Sequence, residues 1–340
     1  MPGRPSSLFR RALLLGALAC SAGAPGPGGA HGQTAADQTP FKVGYTASSE
    51  GRAPLLVTFH ANIAPAYRVE WTFGDGGTAN GTQVQHTYYH SGVYTMQARL
   101  LDAQGRMVSR AQSTIDVQSA GPERSELTIL LGQGQVQLSA VDSVYYTPTP
   151  PRLTLDGQTV TSRPVRLSEG PHRAVTAGIT QGGQVQERSV SFTAAAFTGS
   201  VVYENEVLRL TNLARAHGWN CATLREGGPA LPPLRQNVTL DVAALAQSAG
   251  MAVAGYFDHV SGLDGSTPMR RVQAAGMQPS AVGENIAAGH ETPAQVVDGW
   301  LRSPGHCHNI MGDYSLIGLA YVNRPGTTYV RYWTQVFASP

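Results

Sequence analysis

The stretch Val296-Val297-Asp298-Gly299-Trp300-Leu301-Arg302-Ser303-Pro304-Gly305-His306-Cys307-His308-Asn309-Ile310 decides how the C-terminal part of the chain is read. Thr292-Pro293 precedes it, and Gln295 completes the pattern of a capping box, so a helix is expected to begin there. Val296, Val297 and Trp300 fall on one face at helical spacing, which makes Trp300 a core residue. Pro304 should end the helix near that point. Ser303 beside His306 invites a Ser/His nucleophile pair. Neighbours in sequence need not meet in space, however, and no third orienting acid is evident, so Ser303 reads as a cap or turn residue.

Outward from that stretch, apolar residues keep the helical period. Tyr203, Val207, Leu210 and Ala214 predict a helix over 202–217, ended by Gly218. Thr239 is expected to cap a second helix with the stripe Val242, Leu245, Ala249, Ala252 and Tyr256. Ser266 or Thr267 with Pro268 opens a third, closed by Gly276. Two apolar strands, 317–322 and 329–337, end the chain. Helices around a small terminal sheet predict an α+β or α/β/α layered domain.

Before Thr198 the period is two. Val57 and Phe59, then Val69, Trp71 and Phe73, then Tyr94, Met96, Ala98 and Leu100 alternate with polar residues, which predicts a β-sandwich. A second β pattern runs from about Glu126 to Thr193, with Leu153-Thr154-Leu155 before an Asp156-Gly157 turn. His172 there reads as a turn or strand-edge residue. The whole is expected to be multidomain: signal peptide 1–30, linker 31–40, β domains 41–118 and 119–198, and an α/β domain 199–340.

Arg4, Arg10 and Arg11 followed by the short apolar run 12–19 have the order of an export signal, too short to be a permanent membrane anchor. No transmembrane segment is expected after its removal. Cys20 resembles a poor lipoprotein box or a discarded signal-peptide cysteine. Cys221 and Cys307 would then remain, and an exported chain with two cysteines most simply pairs them, closing a loop of about 86 residues worth on the order of 4 kcal/mol. Free thiols, or Cys307 as a metal ligand beside His306 and His308, are the alternatives. The net charge is +2, Lys42 is the only lysine, and no basic stripe is present, so nucleic acid is not an expected partner.

Particular residues go beyond patterning. Gly51-Arg52-Ala53-Pro54-Leu55, Trp71-Thr72-Phe73-Gly74-Asp75-Gly76 and His86-Thr87-Tyr88 with Gly92-Val93-Tyr94-Thr95 resemble a PKD domain, an Ig-like module. Asp75 is expected to shape its turn rather than bind calcium, which wants six or more oxygens. Gly255-Tyr256-Phe257-Asp258-His259, Gly283-Glu284-Asn285-Ile286-Ala287, the stretch quoted first, Ile317-Gly318-Leu319-Ala320 and Tyr332-Trp333-Thr334-Gln335-Val336-Phe337 together resemble a CAP domain, the superfamily of cysteine-rich secretory proteins, antigen 5 and pathogenesis-related 1 proteins. The resemblances imply an Ig-like β-sandwich at the start and an α/β/α sandwich CAP domain at the end; with the second β pattern read as another Ig-like sandwich, the expected fold is two Ig-like β-sandwiches followed by an α/β/α sandwich CAP domain.

The CAP resemblance also implies a shallow cleft where many members gather two histidines and two acids. Three positions match: His259, Glu284 and His306. The fourth does not, since Trp300 is followed by Leu301, Arg302 and Ser303 where eukaryotic relatives carry a glutamate three residues on. Two imidazoles and a carboxylate are the ligand set of an open zinc site, or else a hydrogen-bonded cluster without metal. No cofactor is required on the second reading, and zinc or another divalent cation would be bound on the first. Asn285 is expected to satisfy backbone groups beside the cleft, and His290 and His308 to be loop histidines first and auxiliary ligands second. The expected function is non-catalytic binding of an extracellular ligand (lipid, cell-wall component or protein) by a secreted or envelope protein. A metal-dependent hydrolase of peptide or glycan, with Glu284 as ligand or general base, is the alternative, and a matrix or adhesion component a third.

Overall fold

A computed structural model describes residues 41–47 and 51–339; the signal-like segment, the linker 31–40 and Cys20 lie outside the described residues. The chain forms two compact units, residues 1–122 with 144–148, and residues 123–143 with 149–340.

The first unit is a β-sandwich. Its strands are β1 (Lys42–Ala47), β2 (Leu55–Asn62), β3 (Arg68–Thr72), β4 (Thr78–Asn80), β5 (Gln83–Tyr88), β6 (Gly92–Leu101) and β7 (Met107–Val117). They make the antiparallel sheets β1-β2-β5 and β4-β3-β6-β7. The period-two residues Val57, Phe59, Val69, Trp71, Phe73, Met96 and Ala98 are buried as expected. Trp71 donates its indole N–H to Gly81 O at 2.8 Å, so the ring is buried without an orphaned donor. Asp75 is the turn residue anticipated: its Oδ1 accepts from Gly77 N at 3.0 Å. Its Oδ2 also meets His86 Nε2 at 2.7 Å, a partner the sequence did not announce.

The second unit begins with β8 (Thr128–Gly132), β9 (Gln135–Ser139), β10 (Arg152–Leu155), β11 (Gln158–Val160), β12 (Val165–Arg166), β13 (Gly170–Ile179) and β14 (Val185–Ala194), in sheets of order β11-β10-β13-β14 and β12-β9-β8. The Asp156-Gly157 turn is present, both residues at positive φ. His172 lies within β13.

There follow α1 (Val201–His217), β15 (Trp219–Asn220), β16 (Arg225–Glu226), β17 (Arg235–Gln236), α2 (Val238–Ala254), α3 (Pro268–Ala274), β18 (Ala281–Ala288), α4 (Pro293–Leu301), α5 (Pro304–Ile310), β19 (Leu316–Asn323) and β20 (Arg331–Ser339). The sheet order is β17-β19-β20-β18. The capping box of Thr292 and Gln295 and the Thr267 cap of α3 are as expected. The cap of α2 is Asn237, not Thr239: its side chain accepts from Thr239 N and Leu240 N. Two elements of the site escaped the pattern. The Gly283-Glu284-Asn285 stretch is a strand buried on both faces, so it shows no alternation. Pro304, expected only to stop a helix, also begins one, because a proline at the first turn loses no helical hydrogen bond.

Alternate residues of the terminal strands enter different cores. Ile317, Leu319, Tyr321, Trp333 and Phe337 pack with Val207, Val296, Val297 and Trp300, whereas Leu316, Ala320, Val336 and Ala338 pack with Leu240, Ala243, Ala244 and Val272. Gly318 lets β19 close on α2, since a Cβ there would land on the Leu240 backbone.

The expected boundary at 198/199 is not a break in packing. Leu127, Ile129, Leu138, Leu153 and Phe192 share one core with Ala249, Met251 and Ala252 of α2. Polar contacts reinforce it: Ile129 N donates to Asp264 Oδ2 at 2.6 Å, and Arg270 reaches Glu126 at 2.8 Å and Asp142 at 3.0 Å. The middle sheets and the C-terminal domain therefore form one body.

Candidate functional site

The site starts where α2 ends. Gly255 takes the left-handed conformation that closes the helix, and Gln247 of α2 donates to Asp258 O at 2.6 Å, which fixes the turn carrying His259. His259 Nδ1 lies 2.8 Å from Glu284 Oε1 on β18. The other oxygen, Oε2, accepts from Arg271 of α3 at 2.7 Å. The side chains of Arg271 and Glu284 are 2% and 1% exposed, whereas that of His259 is 48% exposed. Arg271 also donates to His259 O at 3.0 Å and Ser266 O at 2.7 Å. One guanidinium thus holds both the carboxylate and the backbone of its histidine partner.

A carboxylate can only accept, so His259 must carry its proton on Nδ1, leaving Nε2 toward the open side. That hydrogen bond, opposed by partial burial, raises the His259 pKa. His306, on α5, moves the other way: burial first, and the nearby His259 charge second, lower its pKa.

His306 is positioned through its backbone. Asn285 Nδ2 donates to His306 O and to Gln335 Oε1, each at 3.1 Å; Asn309 Nδ2 donates to Asn285 Oδ1 at 2.9 Å; and Gln335 Nε2 reaches Thr211 Oγ1 at 2.8 Å. Asn285 satisfies backbone beside the cleft as expected. Cys307 is disulfide-bonded to Cys221, which removes it as a metal ligand. Buried Arg215 donates to Pro232 O, Ile310 O and Gly312 O, tying the end of α5 to α1.

Of the three expected residues, the fold joins His259 and Glu284 directly and brings His306 near through the Asn285 network. A metal ion at Glu284 would have to share or displace the hydrogen bonds that its two oxygens accept from His259 and Arg271. Among the described residues no three His, Cys, Asp or Glu side chains converge to hold an ion. Ser303 occupies the cap position of α5 without a side-chain hydrogen bond. Trp300 is core, as read, and donates to Ile286 O at 3.1 Å. His308 Nδ1 lies 2.5 Å from Pro304 O, and the backbone carbonyl of half-buried His290 accepts from Trp333. Arg271 and Arg215 went unnoticed in the sequence, and Gln335 was noted only as part of a motif. Their signal was a polar residue at a position the apolar pattern reserves for the core.

The cysteine-rich secretory protein family matches residues 208–337. That segment is similar to a CAP domain. Residues 35–117 match the PKD domain family. The CAP region is similar to the uncharacterized protein YkwD of Bacillus subtilis, 36% identical over 146 residues, 43% of this chain; the chain spans about half the length of that curated relative. An extracellular protein containing an SCP domain from Bacillus anthracis is 14% identical over 90% of this chain and 87% of its own, with TM-score 0.34. The PKD1 domain of the Vibrio cholerae metalloprotease PrtV is 23% identical over 22% of this chain and 91% of its own, with TM-score 0.18. No helix among the described residues is long and apolar enough to cross a membrane.

Proposed function

We propose that this is a secreted or cell-envelope protein whose CAP domain, an α/β/α sandwich, binds an extracellular ligand without catalysis, with the PKD domain and the middle sheets, a second Ig-like sandwich, as its supports. The observation that carries this reading is the commitment of Glu284. A general base must reach the proton it takes, and this carboxylate is 1% exposed, with one oxygen turned to His259 and the other to a buried arginine. What remains for a ligand is the exposed half of His259 and the imidazole of His306. Such groups recognise hydrogen-bonding partners on a lipid headgroup, a cell-wall fragment or a protein.

Binding of the mature protein to phospholipid vesicles and to soluble peptidoglycan fragments tests it. Saturable binding to one of them, weakened at least tenfold by His259→Ala, is expected; no saturable binding to either would sink the proposal. Metal-dependent hydrolysis of peptide or glycan has one observation in its favour: a histidine held by a carboxylate through Nδ1 has the orientation of metal-bound histidines. Hydrolysis that depends on added zinc and is lost in His306→Ala would favour it.

A further inference from the structure

A cavity of about 320 Å³ opens between the middle sheets and α2, at the lower end of the range for small-ligand pockets. It shares no residue with the histidine cleft. Its apolar lining includes Leu131, Leu167, Phe197 and Val253, alongside residues 132–134 and 194–196. Glu169 is the only charged side chain in the lining, and its carboxylate makes no hydrogen bond or ion pair to any described residue.

The walls are tied to each other. Leu167 N donates to Gly134 O at 3.0 Å, and Gln133 Nε2 donates to Phe197 O at 3.2 Å. Ser168 is held from behind by His172, whose Nε2 lies 2.9 Å from Ser168 O while Nδ1 lies 2.7 Å from Asp156 Oδ2. Neither partner has a hydrogen to give, so the ring donates from both nitrogens. The cavity is a braced space and not a gap left by loose packing.

We infer that this cavity binds a small amphiphilic cation, its apolar body between Phe197, Leu167 and Val253 and its ammonium group beside Glu169. Removal of apolar surface from water favours entry of the body, and a lone carboxylate at the mouth selects the sign of the head.

The probes are n-hexyltrimethylammonium, hexanol and hexanoate, titrated calorimetrically into the mature protein at low salt. The cation is expected to bind at one site per chain, at least tenfold tighter than hexanoate. Glu169→Gln should abolish that preference while leaving hexanol binding within twofold, and Ala196→Trp, at an exposed lining position, should remove binding of all three. Thermal melting checks that each variant folds. Equal affinity for cation and anion in the unaltered protein, a preference that survives Glu169→Gln, or no binding at all would overturn the inference. None of these results bears on His259, so the cleft proposal stands or falls separately.

Discussion

At the scale of single residues, Arg271 and Glu284 dominate the site. Removing one member of a buried pair strands the other's charge, at a cost of about 3–5 kcal/mol. Arg271→Ala and Glu284→Ala should each lower stability by about that much in chemical denaturation. The double variant Arg271→Met with Glu284→Leu should cost much less than the sum. The histidines give a second test, by NMR titration. His259 should titrate above the ordinary value of 6.5 and His306 below it, and His259→Gln should raise the His306 value. The signs oppose in stability. The His259 contribution is present below about pH 6.5 and lost as pH rises through its folded pKa; that of His306 is present above about pH 6.5 and lost as pH falls. His259, Glu284 and His306 were legible because motif spacing marks them. Arg271 was not, since an arginine beside Arg270 on a short helix reads as a solvated pair until β18 shows what faces it.

Among the elements, α5 depends most on others. Seven residues are too few to be a stable helix alone, so tertiary contacts must hold it. The Cys221–Cys307 bridge and Arg215 supply them. Reducing the bridge should cost about 2–5 kcal/mol and lower the melting temperature in a scan with and without dithiothreitol. Arg215→Leu should destabilise further by leaving the Ile310 and Gly312 carbonyls without a donor, and His306 should shift in NMR spectra although no group touching its ring has changed. The helices α1 to α4 could be read from apolar period and caps. β18 and α5 could not, because one is buried on both faces and the other begins with the residue that usually ends helices.

For the whole molecule, sequence patterning places the change from β to α at Thr198, and the core runs across that change. Local periodicity reports which element forms, and nothing in it reports that Leu127 and Ile129 will share a core with Ala249 and Met251. A fragment of residues 199–340 should therefore be insoluble or melt at least 10 °C below a fragment of residues 123–340, as circular dichroism would show. Equal melting temperatures would mean that the shared core contributes nothing.

That shared core sets an order of events as the chain is made. The first unit has its own core and takes only residues 144–148, Tyr146 among them, from further along the chain. β8 must wait for α2, more than a hundred residues later, and contacts so distant in sequence form slowly. Until α2 emerges, Leu127, Ile129 and Leu130 remain uncovered. A chain stalled or cut between Ala194 and Val238 would present sticky, half-built sheets, and such truncated products should be the ones that chaperones hold and proteases clear.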